Sequence, residues 1–186
     1  MIVQPTRKYE QLIDELNLML IEGHINELKL AAIRKEANNI LKQDQAEGFC
    51  LLGVLAYFNN NLNESRYYHN LAIAWSDKNP NMLFNYAISL KRFGKFAEAM
   101  SLGQEAYEKT KSLKHLEFLI DTALKQGLNS IAKQYIEEKE LLTGEKHPIS
   151  DEEIEDNFGV VRQEIMDIVK QDIDTNYRLW KKLAHT

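Results

Sequence analysis

The middle of the chain contains the stretch Arg92-Phe93-Gly94-Lys95-Phe96-Ala97-Glu98-Ala99, which decides the fold. Its glycine separates two runs of helix-forming residues. Glycine adopts the left-handed backbone conformation that ends a helix at little cost, so Gly94 predicts such an end. The small side chain of Ala99 lets the second helix approach the first closely. The stretch therefore predicts a tight hairpin of two helices.

The same arrangement recurs on both sides of this stretch. Three copies begin at Ala46, Pro80 and Leu113, so successive copies lie 34 and 33 residues apart. Gly127 repeats the role of Gly94, and small residues recur at the predicted hairpin contacts, namely Gly53, Ser65, Ala87, Ala99 and Ala132. A constant period of this length is typical of helical repeat proteins. A degenerate fourth copy is predicted before them, with Tyr9, Leu12, Leu16, Met19 and Gly23 in its first helix and Lys35 at the usual alanine position.

This pattern resembles the tetratricopeptide repeat family, whose period is about 34 residues. The resemblance covers roughly residues 9–142 and is strongest in the central copy. The large aromatic residue usual in the second helix is replaced by His69, Gly103 and Ile136. The resemblance implies an all-α fold in which antiparallel helix hairpins stack in a right-handed superhelix, with the first helices lining a concave groove.

Apolar spacing and capping residues predict nine helices, at about 6–22, 25–43, 46–59, 62–77, 80–93, 96–111, 113–126, 129–142 and 151–184. Residues 6–142 are predicted to form the repeat domain, 143–150 a linker and 151–186 a C-terminal segment. An apolar stripe in that segment, formed by Ile154, Phe158, Val161, Ile165 and Ile168, predicts a helix that caps the last repeat. We therefore expect a monomer; the alternative is a dimer that pairs residues 151–186 of two chains.

The charge and hydropathy pattern excludes several classes of protein. The chain has 28 acidic and 23 basic residues, a net charge of −5, whereas binding to nucleic acid needs a basic face. Its longest apolar run, residues 49–58, is well short of the roughly 20 residues that span a membrane. Residues 1–8 have no apolar region behind a basic start, so we expect no secretory signal, and the single cysteine, Cys50, excludes an internal disulfide. We expect a cytoplasmic protein that binds neither nucleic acid nor membrane.

No pattern in the sequence predicts catalysis. The five histidines contain no His-x-x-x-His pair, and neither a phosphate-binding glycine loop nor a Gly-x-Ser-x-Gly turn occurs. Cys50 lies in an apolar run, where a thiol behaves as a small hydrophobic side chain. We therefore expect no catalytic residue, no metal site and no cofactor.

The resemblance implies that the groove binds peptides or other proteins. Transferred position by position, it predicts a binding surface of Val54, Tyr57, Phe58, Phe84, Ile88, Lys91 and Arg92. Some family members grip a chaperone's C-terminal carboxylate, but the matching positions here carry residues such as Cys50, Glu117 and Asp121, so that clamp is absent. The alternative is that several of the apolar residues belong to the core.

Three functions remain open from the sequence. The first is a non-enzymatic interaction module, an adaptor, chaperone or regulator that holds a protein or peptide. The second is an acidic subunit that neutralises or regulates a toxin or a transcription factor. The third, which the sequence supports least, is an enzyme whose site follows no recognised pattern.

Overall fold

The computed structural model describes residues 6–147 together with Tyr177 and Lys181. Within residues 6–147 the chain forms eight α-helices and no strand. They are α1 (Arg7–Glu22), α2 (Glu27–Ile40), α3 (Gln45–Phe58), α4 (Leu62–Trp75), α5 (Pro80–Arg92), α6 (Phe96–Thr110), α7 (Leu113–Lys125) and α8 (Asn129–Thr143). The all-α prediction is confirmed, and each of these helices ends within three residues of its predicted bounds. The ninth predicted helix, 151–184, lies outside the described residues except for Tyr177 and Lys181.

The predicted helix ends are confirmed. Gly94 and Gly127 have φ angles of 72° and 68°, in the left-handed region. The side chain of Asn79 accepts a hydrogen bond from the backbone N–H of Asn81 (2.9 Å), next to Pro80 at the first helical position. Asn61 caps α4 by accepting from the N–H of Glu64 at 3.1 Å. Local sequence therefore determines where the helices begin and end.

Neighbouring helices pair closely at small residues. α3 packs on α4, α5 on α6 and α7 on α8. A Cβ atom on Gly53 would lie 2.7 Å from the ring of His69, so only glycine fits there. The Ser65 hydroxyl donates to the Gly53 carbonyl at 2.9 Å. Ala99 and Ala132 are fully buried, as the sequence predicts for residues at a close contact.

Contacts between the pairs join them into one core. α2 packs on α3, α6 packs on α7, and α3 also contacts α5. The main apolar cluster extends from Tyr9 in α1 to Ile136 in α8. Its fully buried residues include Leu16, Leu51, Leu83, Leu102 and Leu119, which come from five different helices. Residues 6–147 therefore form one continuous packed body.

Helix α1 packs differently from the other odd-numbered helices. It makes more contact with α3 than with α2, its neighbour in sequence. The backbone N–H and the hydroxyl of Thr6 donate to the carboxylate of Glu47 at 2.5 and 2.6 Å. The Tyr9 hydroxyl contacts Cys50 Sγ at 3.1 Å and accepts from Asn85 Nδ2 at 2.6 Å. Helix α1 thus lies across α3 and α5.

The two described residues of the C-terminal segment contact the turn between α4 and α5. The Tyr177 hydroxyl and Lys181 Nζ donate to Asp77 Oδ1 at 2.8 and 2.5 Å. Lys78 Nζ lies 4.6 Å from the centre of the Tyr177 ring. The predicted stripe that would cap the last repeat, Ile154 to Ile168, lies outside the described residues.

Candidate binding site

A cavity of about 510 Å³ lies at the carboxyl ends of α1, α3 and α5. The ends of α1 and α3 meet because Thr6 and Glu47 fix the amino ends of these helices side by side and the two helices have nearly the same length. The end of α5 is joined to α1 by the hydrogen bond from Arg92 to Asn17. The cavity is lined by Met19, Leu20, Gly23 and Ile25 from α1 and the turn after it, by Tyr57, Phe58 and Asn60 from α3 and its turn, and by Arg92 and Phe93 from α5 and its cap.

Aromatic rings form one wall of the cavity. The Tyr57 ring packs edge-to-face with Phe58, with centroids 5.9 Å apart, and with Phe93 at 5.2 Å. This is the favoured geometry for aromatic pairs, and it holds the rings in one arrangement. Tyr57 and Phe58 are half-buried, so part of each ring faces the cavity.

Arg92 brings a positive charge to the same cavity. Its guanidinium carbon lies 5.7 Å from the Tyr57 ring centre, and its Nη2 donates to Asn17 Oδ1 at 3.1 Å. Burial lowers the pKa of Arg92 below its ordinary value, although a guanidinium stays charged in proteins. No carboxylate of the described residues lies within ion-pair distance of Arg92.

The structure places the seven residues of the predicted surface in three settings: the cavity, the core and an ion pair outside both. Tyr57, Phe58 and Arg92 share the cavity. Val54 and Phe84 are each only 5% exposed, and Ile88 is a partly buried residue packed on the core. Lys91 pairs with Asp121 and lies 4.6 Å from the centre of the Phe118 ring.

Sequence reasoning missed the contribution of α1 to this cavity. The core stripe of α1 is complete with Tyr9, Leu12, Leu16 and Met19, yet more large apolar residues follow it closely. Four of them are exposed around the turn between α1 and α2, namely Leu18, Ile21, Ile25 and Leu28, the last at 85%. This excess of apolar residues beyond the core stripe was the available signal, since an exposed apolar patch often marks an interaction site.

A second cavity, of about 490 Å³, lies between the amino-terminal parts of α1, α5 and α7. It is more polar, with Glu10 and Asp14 from α1 and Lys114 and His115 from α7 among its lining residues. His115 contacts Thr110 Oγ1 through Nδ1 at 2.7 Å, and burial lowers the pKa of His115 to about 4. Tyr9 and the predicted site residue Phe84 also line this cavity, but they are only 2% and 5% exposed, so they present no apolar anchor point comparable to Tyr57.

Two titratable groups in the core, Cys50 and His69, keep one protonation state near neutral pH. Burial raises the pKa of the Cys50 thiol to about 12 and lowers that of His69 to about 3. Among the described residues no three His, Cys, Asp or Glu side chains cluster as metal ligands would. In residues 6–147, none of the helices combines the length and the apolar character needed to cross a membrane.

Comparison with known proteins adds no relative. No protein-family model matches the chain, and neither curated proteins nor solved structures give a match.

Proposed function

We propose that this chain is a non-enzymatic protein-interaction module of the tetratricopeptide-repeat type, with its hairpins stacked in a right-handed superhelix. Its binding site is the cavity at the carboxyl ends of α1, α3 and α5, and its ligand is a segment of a partner protein. The observation that supports this most is the joint exposure of aromatic rings and an arginine to one open cavity, because such residues supply most of the energy at protein interfaces.

The position of α1 explains why this end of the groove is the proposed site. Tyr9 fills the space beside Cys50 and Asn85, so the middle of the surface formed by α3 and α5 is covered. Past Asn17, the side chains of α1 leave Tyr57 and Phe58 partly open. Exposed Ile21 and Ile25 extend the apolar surface beyond the cavity.

The acidic-subunit function has less support. Many acidic side chains already pair with bases of this chain. Examples are Glu98 with Arg66, Glu105 with Lys109, and Glu117 with Lys139. Paired carboxylates have less charge to offer a basic partner, so the net charge of −5 alone does not favour neutralisation.

Peptide display on the full chain tests the proposal. We expect random twelve-residue peptides to yield binders whose affinity falls about thirtyfold in Tyr57→Ala, the loss typical of a central aromatic residue. Tyr67→Ala is the matched control, because Tyr67 is a half-exposed aromatic on α4 outside the cavity. No binders, or equal losses in the two variants with unchanged melting temperatures, would refute the proposal.

A further inference from the structure

We propose that Arg92 makes this cavity selective for a partner segment with an internal aspartate or glutamate side chain flanked by apolar residues. The inference rests on the proposed function, since it specifies the chemistry of the ligand in the same cavity.

The pairing of neighbouring cations shows what is unusual about Arg92. Lys91, the preceding residue, pairs with Asp121, and Arg66 makes two hydrogen bonds to the Glu98 carboxylate at 2.6 and 2.7 Å. Arg92 is partly buried as well, yet its one hydrogen-bond partner among the described residues is the neutral amide oxygen of Asn17. A guanidinium carries five N–H donors, so most of those on Arg92 remain available to solvent or a ligand.

The walls around the guanidinium favour a carboxylate over other anions. Taking a cation partly out of water is costly unless an anion or several acceptors replace the water. The planar fork of arginine matches the two oxygens of a carboxylate. Arg92 is the cation among the residues that line the cavity, and the others are apolar or neutral. One positive charge suits a singly charged carboxylate better than a doubly charged phosphate.

An internal side chain fits better than a chain terminus. Arg92 lies between α1, where Asn17 accepts its hydrogen bond, and α3, where Tyr57 lies beside it. Apolar residues of both helices line the cavity with Arg92, namely Met19 and Leu20 from α1 and Phe58 from α3. A segment that continues past the carboxylate in both directions buries apolar side chains on both walls.

Two display libraries distinguish the sources of the carboxylate. In one library the peptides are fused at their C-terminus, so they offer only side-chain carboxylates, and in the other they end in a free carboxylate. We expect binders from the first library, enriched in aspartate or glutamate beside aliphatic or aromatic residues. Binders that come from the second library alone, or that show no acidic residue, would overturn the inference.

A double-mutant cycle measures the interaction directly. One selected peptide is made with blocked ends, in its acidic form and with the acid replaced by its amide. Arg92→Gln should weaken binding of the acidic peptide about tenfold and leave binding of the amide peptide nearly unchanged. Lys114→Gln, which removes a cation at the other cavity, is the control. Equal effects of Arg92→Gln on both peptides, or an equal loss in the control, would contradict the inference.

Other results of these binding experiments would also support or refute the acidic preference. If Arg92→Gln does not fold, the wild-type protein alone provides the test. It should bind the acidic peptide about tenfold more tightly than the amide peptide, and equal affinities for the two peptides would refute the inference. Tyr57-dependent binding without an acidic preference refutes the inference and leaves the proposed function standing. If light scattering finds a dimer instead, its dissociation in Tyr57→Ala would mean that a second copy occupies the cavity. If a peptide of residues 151–160 competes with the selected peptide for binding, the chain's own segment occupies the cavity. Either result would overturn a separate acidic partner.

Discussion

The first helix pair and the three that follow it differ at one position. Counting four residues from each N-cap, the second helices carry Leu30 in α2, Ser65 in α4, Ala99 in α6 and Ala132 in α8. The three small residues allow close approach of the preceding helix, whereas Leu30 is only partly buried. Helix α1 makes more contact with α3 than with α2, to which the exposed ion pairs Lys8–Glu36 and Lys29–Glu15 join it. The open cavity and the exposed apolar residues around it lie at this first pair.

The same alignment corrects one detail of the sequence analysis. The first copy was predicted to carry Lys35 at the position where the second and third copies have Ala72 and Ala106. Aligned by N-caps, the position of Ala72 and Ala106 is taken by Ala37, which is fully buried, while Lys35 is exposed. Helix α2 therefore follows the repeat pattern when it is aligned by its N-cap. The mismatch at Lys35 came from aligning the first copy by its spacing in sequence.

The largest effect is expected from filling a close contact. Ala99→Trp should unfold the protein or lower its stability by roughly 3 kcal/mol or more, because overpacking a buried contact forces the helices apart. Leu30→Trp, at the same position of the first helix pair, should lower the stability much less. Urea unfolding followed by circular dichroism measures both. Similar losses in the two variants would show that the pairs do not differ in this way.

Acid should destabilise the packing of α4 on its neighbouring helices through His69. Its ring is fully buried, stacks on Tyr86 and contacts Ser89 Oγ at 2.9 Å. Burial lowers its pKa to about 3, while an unfolded histidine titrates near 6.5. The stabilising effect of neutral His69 is therefore complete above pH 6.5 and is lost as the pH falls from there towards 3, by up to about 1.4 kcal/mol per pH unit.

The variant His69→Phe isolates this contribution. It should flatten the pH dependence of unfolding below pH 6.5, part of which remains because of buried His115. His24→Gln, in the exposed turn after α1, is the control. Urea midpoints at pH 7, 6 and 5 provide the comparison. An unchanged slope in His69→Phe would show that the ring is protonated in the folded protein.

A smaller effect is expected where α1 is attached. The Thr6 hydroxyl caps α1 and also donates to buried Glu47, so Thr6→Ala, which keeps the backbone N–H bond to Glu47, should cost about 1–2 kcal/mol. The loss should appear as faster amide exchange in α1, with α5 to α8 less affected. Asn26→Ala is the control, because Asn26 caps α2 through one exposed hydrogen bond to Lys29. If the exchange of α1 does not change, Thr6 does not hold the helix in place.

The sequence was sufficient to predict features that depend on local chemistry. It was insufficient to predict features that depend on how helices distant in sequence pack together. Caps such as Asn79 with Pro80 and left-handed ends such as Gly94 follow from the residue itself, so the helix bounds could be predicted closely. The groove was transferred from a regular stack of helices. It could not show that Val54 and Phe84 would be buried or that Tyr9 would reach Asn85, since these contacts depend on how α1 and α7 pack beside α3 and α5.

The weakest effect is expected at the turn between α4 and α5, where Asp77 accepts hydrogen bonds from Tyr177 and Lys181. These hydrogen bonds lower the pKa of Asp77, so its ionised form favours the contact. The contact is therefore complete above the usual pKa of an aspartate and is lost as the pH falls through the lowered one. Asp77→Ala should shift the Tyr177 ring signals in an NMR spectrum and leave the urea midpoint unchanged, because the site is exposed. Asp14→Ala, which removes an acid far along the chain at the polar cavity, is the control. Tyr177 signals that respond equally to both variants, or to neither, would mean that Asp77 does not hold this part of the C-terminal segment.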